Sequence, residues 1–160
     1  SSNCIMDSRF EEATLANGLV YYTDRDYTLK RVPWMFVGTN AILTPNKDRN
    51  RSDAGDYLTF EMPYDGMVYV AIDSRVASAP DWMDGFSDTG NRITTSLSTQ
   101  PYLTIYRRFY SAGACVNLGA NKAPGYSGGT VSNYVVLYRP VNFIWPFYKT
   151  SRWFPYYNQE

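Results

Sequence analysis

The sequence predicts an all-β fold, a single antiparallel β-sandwich or jelly roll that ends in an aromatic C-terminal arm. Three observations carry this reading. Short apolar stretches recur along the chain, each bounded by clusters of Gly, Asn, Asp, Pro and Ser, which is how strands and their turns are written. No stretch has an amphipathic pattern of helix length. Fifteen Tyr, eight Phe and four Trp make a heavy aromatic load, suited both to strands and to contact surfaces.

In chain order the candidate strands are 19–22, 41–43, 57–62, 67–73, 93–96, 102–110, 114–118 and 132–138. This spacing fits a sandwich or jelly roll. In 57–62 the alternation places Leu58, Phe60 and Met62 on one face and Tyr57, Thr59 and Glu61 on the other, so one face is core. In 102–110, Leu103, Ile105 and Arg107 oppose Tyr102, Thr104, Tyr106 and Arg108, and large side chains on both sides predict a strand with two packed faces. Only 11–16 and 79–83 offer a helical turn. Residues 1–139 read as one sandwich domain and 140–160 as the arm; at 160 residues such a chain buries roughly 70% of its unfolded surface.

Composition narrows the function classes. Fifteen basic and fifteen acidic side chains cancel, which disfavours nucleic acid and anionic membranes as partners. No apolar run approaches the roughly 18 residues that cross a bilayer, and the opening SSNCIMDSRFEE has neither basic leader nor apolar core, so an exported form is expected to have lost its signal. Cys4 and Cys115 are the two cysteines. They allow one disulfide closing a loop of about 110 residues, against the other reading of two buried thiols. The aromatic, Gly- and Asn-rich composition reads as extracellular or cell-surface and favours the disulfide.

Catalysis is disfavoured, and the chain reads as a non-enzyme. It has no histidine, which removes Ser-His and Cys-His nucleophile pairs and His-bearing zinc sites. Asp24 with Asp26, or Asp73 with Asp88, resembles a glycosidase carboxylate pair only in residue type. Arg25 between Asp24 and Asp26 would lower carboxylate pKa values, whereas a general acid needs a raised one. No cofactor is expected. Asn46, Asp48, Asn50 and Ser52 mimic the opening of a calcium loop, but Arg51 stands where the turn needs glycine and Tyr57 where a bidentate Glu belongs, so the run reads as a solvated loop. Asn50-Arg51-Ser52 also matches the N-glycosylation sequon.

The stretch VYVAIDSRVASAPDWMDGFSDTG, from Val68 to Gly90, takes an apolar strand into a polar turn and then a Trp-bearing elbow. With Tyr22-Thr23-Asp24-Arg25-Asp26-Tyr27, Thr44-Pro45-Asn46-Lys47-Asp48 and Ser132-Asn133-Tyr134-Val135-Val136, it resembles the β-sandwich module appended to secreted bacterial polysaccharide-degrading enzymes, over roughly residues 20–138. The resemblance implies a non-catalytic domain that binds carbohydrate. Under that reading Trp34, Trp82 and Tyr126 are candidate platforms for the apolar face of a pyranose, with Asp24, Arg75 and Asn121 as polar partners. The competing reading of the same block has Asp73 and Arg75 tying the loop to the sandwich while Trp82 plugs the end of the core.

Beyond Tyr138 the sequence leaves that pattern. The arm carries Phe143, Trp145, Phe147, Tyr148, Trp153, Phe154, Tyr156 and Tyr157. At roughly 1.5 to 3 kcal/mol per buried aromatic, leaving them all in water forfeits on the order of 10 kcal/mol, so the arm is expected to cover something. Pro140, Pro146 and Pro155 each remove a backbone donor and favour a segmented strap along an edge. Wrapped on its own domain, the arm is part of the fold. Laid across another copy, it adds a strand to an exposed edge and builds a homopolymer. The sequence therefore favours an extracellular structural subunit assembling into a filament or matrix, with a carbohydrate-binding module recognising a polysaccharide as the alternative.

Overall fold

A computed structural model describes residues 4–99 and 102–141. Among them are eleven strands: β1 (Glu11–Thr14), β2 (Leu29–Arg31), β3 (Asn40–Leu43), β4 (Leu58–Glu61), β5 (Gly66–Asp73), β6 (Val76–Ser78), β7 (Ser87–Thr95), β8 (Leu103–Tyr110), β9 (Cys115–Leu118), β10 (Ser127–Gly128) and β11 (Val135–Pro140). Three 3-10 turns, Trp34–Phe36, Asn46–Asn50 and Asp81–Met83, make up the helical content. Seven strands form one sheet in the order β1-β3-β11-β5-β8-β7-β2, and β4–β9 and β6–β10 form two-stranded pairs. Every strand pairing is antiparallel, as the sequence predicts.

The centre of the large sheet explains its composition. β5 pairs with β11 on one side and β8 on the other, and its residues alternate between two cores. Val68, Val70 and Ile72 face Leu58, Phe60, Val116 and Leu118 of the β4–β9 pair. Tyr69 and Ala71 face the opposite way, with Leu103, Ile105, Val135 and Leu137, onto Leu15, Tyr21, Tyr22, Leu29 and Phe36 of the N-terminal meander. A strand covered on both faces has no use for polar alternation, hence the run VYVAI. The two-faced prediction for β8 holds in its first half: Leu103 and Ile105 are buried in one core while Tyr106 packs on the other, but Arg107, Arg108 and Phe109 are exposed.

Several local expectations are corrected. Residues 11–16 do not make a helical turn: Glu11–Thr14 is an edge strand, because pairing with β3 satisfies its backbone where a single isolated turn would not. Residues 19–22 make only two isolated bridges, Val20 to Thr28 and Tyr22 to Thr44, and Tyr21 and Tyr22 are both buried, so the run does not alternate. β7 begins at Ser87, six residues before the expected start at Ile93, through a polar stretch whose register shifts between Asp88 and Arg92 around Gly90 at φ 78°. β2, β6 and β10 have two or three residues each, too few for a periodicity to register. Leu58 and Phe60 of β4 and Met62 just after it are buried as expected and Glu61 is exposed, but Tyr57 just before it is buried too, packed on Phe10 and Tyr134 with its hydroxyl donating to Asp48.

Cys4 and Cys115 form a disulfide with a Cα separation of 5.6 Å, joining the N-terminal strap to the first residue of β9. No helix among the described residues is long and apolar enough to cross a membrane. The arm residues Phe143, Trp145, Phe147, Tyr148, Trp153, Phe154, Tyr156 and Tyr157 lie outside the described residues.

Candidate functional site

At the end of the sheet where β5 finishes and β11 begins, the loops after Tyr22, Thr44, Asp73 and Leu118 converge, and the backbone turns from ladder bonds to side-chain bonds. Ser132 to Tyr134, expected to open the last strand, are instead held by polar groups. Ser132 N donates to Asp73 Oδ2 at 2.7 Å, Asn133 N to Asn46 Oδ1 at 2.8 Å and Tyr134 N to Asn133 Oδ1 at 3.0 Å. Asn133 Nδ2 donates to Pro45 O at 3.1 Å and to the Tyr57 hydroxyl at 3.1 Å, and that hydroxyl donates to Asp48 Oδ2 at 2.7 Å. Burial, followed by the Asp48 bond, pushes the Tyr57 pKa up. Buried polar groups satisfied this completely specify where each loop sits.

Two aspartates anchor the loops. The Asp73 side chain is 0% exposed, and besides Ser132 N it accepts from Arg75 N at 2.9 Å, Arg75 Nε at 3.1 Å and Arg75 Nη2 at 2.7 Å. The hydrogen bond to Asp73 raises the Arg75 pKa above its ordinary value. Asp24 accepts from Asn46 N at 2.7 Å and Lys47 N at 3.0 Å, so it ties down the start of the Asn46–Asn50 turn, and it pairs with Arg25 Nη1 at 3.0 Å. Asn121 is buried, with Nδ2 donating to Arg49 O and Ser132 O, each at 3.2 Å, while its Oδ1 meets no donor among the described residues. Asn46 and Asp48 are buried too, which corrects the solvated-loop expectation: their oxygens serve Asn133 and Tyr57.

Between these anchors lies a cleft of about 190 Å³. Arg25, Arg49 and Arg75 line it together with Tyr27, Leu97 and the 130–132 segment. Arg49 Nη1 donates to Asn46 O at 3.2 Å, and among the described residues Arg49 meets no carboxylate. Tyr126 is half-buried nearby: its hydroxyl donates to Gly129 O at 3.0 Å, and burial first, then the Asp73 charge, raises its pKa.

The six expected sugar-contacting residues therefore divide. Asp24, Arg75, Asn121 and Tyr126 gather at this end of the sheet. Trp82 is half-buried and bonded inward: Nε1 donates to Ala120 O at 2.9 Å and the ring packs on Tyr134 at 5.4 Å and edge-on to Phe86 at 6.2 Å. Gly119 leaves room for that ring, since a Cβ there would stand 2.4 Å from Trp82 Cδ1. Trp34 is 53% exposed in the turn beside Met35, whose carbonyl accepts from Arg139. Arg139 pairs with Met67 and Val135 with Ala71, so Trp34 lies toward the opposite end of the sheet from the cleft.

Arg25, Tyr27 and Arg49 are cleft residues that no local pattern in the sequence marks. The blocks Asp24–Tyr27 and Asn46–Asn50 carry them, but locally the first reads as a carboxylate pair and the second as a cation loop, and neither pattern places its arginine in a cleft. A second cleft, of about 470 Å³, opens by the N-terminal strap between Ile5, Asp7, Arg9, Arg51, Asp56 and Tyr57. There Arg9 and Arg51 stack on the Tyr57 ring at 5.2 and 5.4 Å, and Arg51 pairs with Asp53 at 2.9 Å.

No family model and no curated protein matches the chain. Among solved structures, it is similar to a β-glucuronidase from glycoside hydrolase family 2, with a TM-score of 0.73 and 20% identity over 84% of this chain and 14% of that one. It is also similar to a GH138 enzyme targeting pectin rhamnogalacturonan II, with a TM-score of 0.54 and 14% identity over 86% of this chain and 17% of that one. The chain thus spans a small part of each of these proteins. At such identities the likeness establishes the fold, a β-sandwich, and the fold alone.

Proposed function

We propose that this chain is a non-catalytic carbohydrate-binding module of a secreted carbohydrate-active protein, and that it holds a polysaccharide in the cleft between Arg25, Arg49 and Arg75. The observation that carries the reading is the cleft itself. Loops from four parts of the chain, locked by half-buried Asp24 and by buried Asp73, Asn121 and Asn133, present charged donors beside Tyr27 and Leu97. Sugar recognition needs that pairing, an apolar surface for the ring face and fixed polar groups for its substituents. The likeness to sandwich domains within a β-glucuronidase and a pectin-targeting enzyme supports the same reading. The Cys4–Cys115 disulfide suits an oxidising, extracellular setting.

Filament formation through the arm, which the sequence favoured, draws no support from the described residues or from these likenesses, and the carbohydrate reading takes its place. Trp82 enters this reading as a packing residue and Trp34 as a residue away from the cleft. The test is affinity electrophoresis of the whole chain in gels containing neutral or acidic plant and bacterial polysaccharides. Retardation by at least one polymer, weakened at least tenfold in Tyr27→Ala with an unchanged melting temperature, is expected. Equal mobility in every gel would sink the proposal. Release of reducing sugar from the retarding polymer would contradict the non-catalytic part alone.

A further inference from the structure

The charge balance of the cleft says more than its shape. Three guanidiniums line it, and the two carboxylates at its edge, Asp24 and Asp73, are already engaged with protein donors. Asp24 serves Asn46 N, Lys47 N and Arg25; Asp73 serves Ser132 N and Arg75. Among the described residues, three positive groups against two negative ones leave one positive charge, which belongs to Arg49, since its hydrogen bond goes to a backbone carbonyl.

The donors are unevenly used as well. A guanidinium carries five N–H donors and accepts nothing. Arg25 and Arg49 each bond through Nη1, and Arg75 through Nε and Nη2, so each of these three lining residues keeps further donors. A neutral sugar hydroxyl brings its own donor to such a wall and leaves charge uncompensated. A carboxylate brings two acceptor oxygens, a matching planar shape and the missing negative charge.

From this excess of donors and charge we infer that the cleft selects a uronate, a pyranose ring whose carboxylate is taken by Arg49 together with Arg25 or Arg75 while Tyr27 and Leu97 contact the ring. The inference rests on reading the cleft as a glycan site. The backbone bonds of Asp24 and Asp73 make the site rigid before the ligand arrives, so little ordering remains to be done on binding. The attraction is partly exposed and is therefore screened by salt.

The experiment uses the whole chain with three acidic polymers, polygalacturonate, alginate and glucuronoxylan, each beside its carboxyl-reduced counterpart, in which the ring survives as a neutral sugar. At least one acidic polymer is expected to bind tenfold or more tightly than its reduced form, with the difference shrinking between 50 and 500 mM salt. Arg49→Gln should remove most of that difference without moving the melting temperature, and Arg25→Gln is the second variant if Arg49→Gln does not fold. Arg92→Gln, whose parent side chain stacks on Tyr102 and lines a separate hollow with Asp88, Gly90 and Asn91, should bind like the native chain. Binding of acidic and reduced polymers within twofold would overturn the uronate inference and leave the carbohydrate reading standing. So would native-like binding by a folded Arg49→Gln. Absence of binding to any polymer, acidic or neutral, would overturn both.

Discussion

Asp73-Ser74-Arg75 and Arg51-Ser52-Asp53 are nearly mirror images in sequence, and each makes an acid–arginine pair across two residues, at 2.7 and 2.9 Å. Yet they do different work. The Asp73 carboxylate is 0% exposed at the end of a central strand, and it also holds Ser132 N. Asp53 and Arg51 are 36% and 42% exposed at the rim of the larger cleft, where they bond each other. The Asp53 pKa is lowered, first by its bond to Arg51, but solvent screening leaves little of that as stability. The lesson is that the geometry of an ion pair says little until the burial of its acid is known, because removing a buried partner strands groups that water cannot reach.

The largest break in this contrast comes from Asp73→Ala, which leaves the buried Ser132 N without its acceptor and Arg75 without its counter-charge. The cost is expected at about 3 kcal/mol, the lower end for broken buried pairs because Arg75 is partly exposed and can be rehydrated. That corresponds to a fall of roughly 6–12 °C in melting temperature for a domain of this size, read by thermal unfolding followed by circular dichroism. A fall below 2 °C would show that the Asp73 bonds to Ser132 and Arg75 are not a stability element.

A second sharpening applies the same distinction to tyrosines. Burial pushes the Tyr21 pKa from 10.0 to about 12. The folded chain therefore keeps a proton that the unfolded chain releases near pH 10. The stability from this group is complete below pH 10 and is lost as the pH rises from 10 through about 12. Tyr57 and Tyr134, also raised chiefly by burial, add to the same loss. With no histidine and no free cysteine, the melting temperature should stay nearly level from pH 6 to 9 and drop above 10. Tyrosinate absorbance rising in one smooth step near pH 10, with no change in circular dichroism, would contradict this.

The smallest effect is expected for Asp53→Ala. Exposed pairs of this type are worth about 0.2–1 kcal/mol before salt screening, so the melting temperature should move by roughly 4 °C at most. A shift as large as that of Asp73→Ala would erase the distinction between the two loops.

What was legible in the sequence is what depends on near neighbours. The alternation of Leu58, Phe60 and Met62 gave one buried face, and the turn clusters located β3, β5, β8 and β9 to within a residue or two. Where local pattern and tertiary pairing disagreed, pairing prevailed: Glu11–Thr14 became an edge strand beside β3, and Ser132 to Tyr134 left the ladder for Asp73, Asn46 and Asn133. The site was less legible still. Asp24 and Arg75 were legible as polar candidates and Trp82 and Trp34 as aromatic ones, whereas nothing local marked Arg25 and Arg49 as cleft residues.

The sequence by itself determined an all-β class, and by leaving two cysteines and no histidine it determined which disulfide can form within the chain and which nucleophile chemistry is missing. Only the tertiary structure decided that Trp82 packs against Tyr134 and that Arg25, Arg49 and Arg75 share one cleft. The reason is physical: strand periodicity is set by residues two apart, whereas that cleft is assembled by bonds such as Asp24 to Asn46 and Asp73 to Ser132, 22 and 59 residues apart. Their meeting depends on the β3-β11-β5-β8 strand order, which no local pattern encodes.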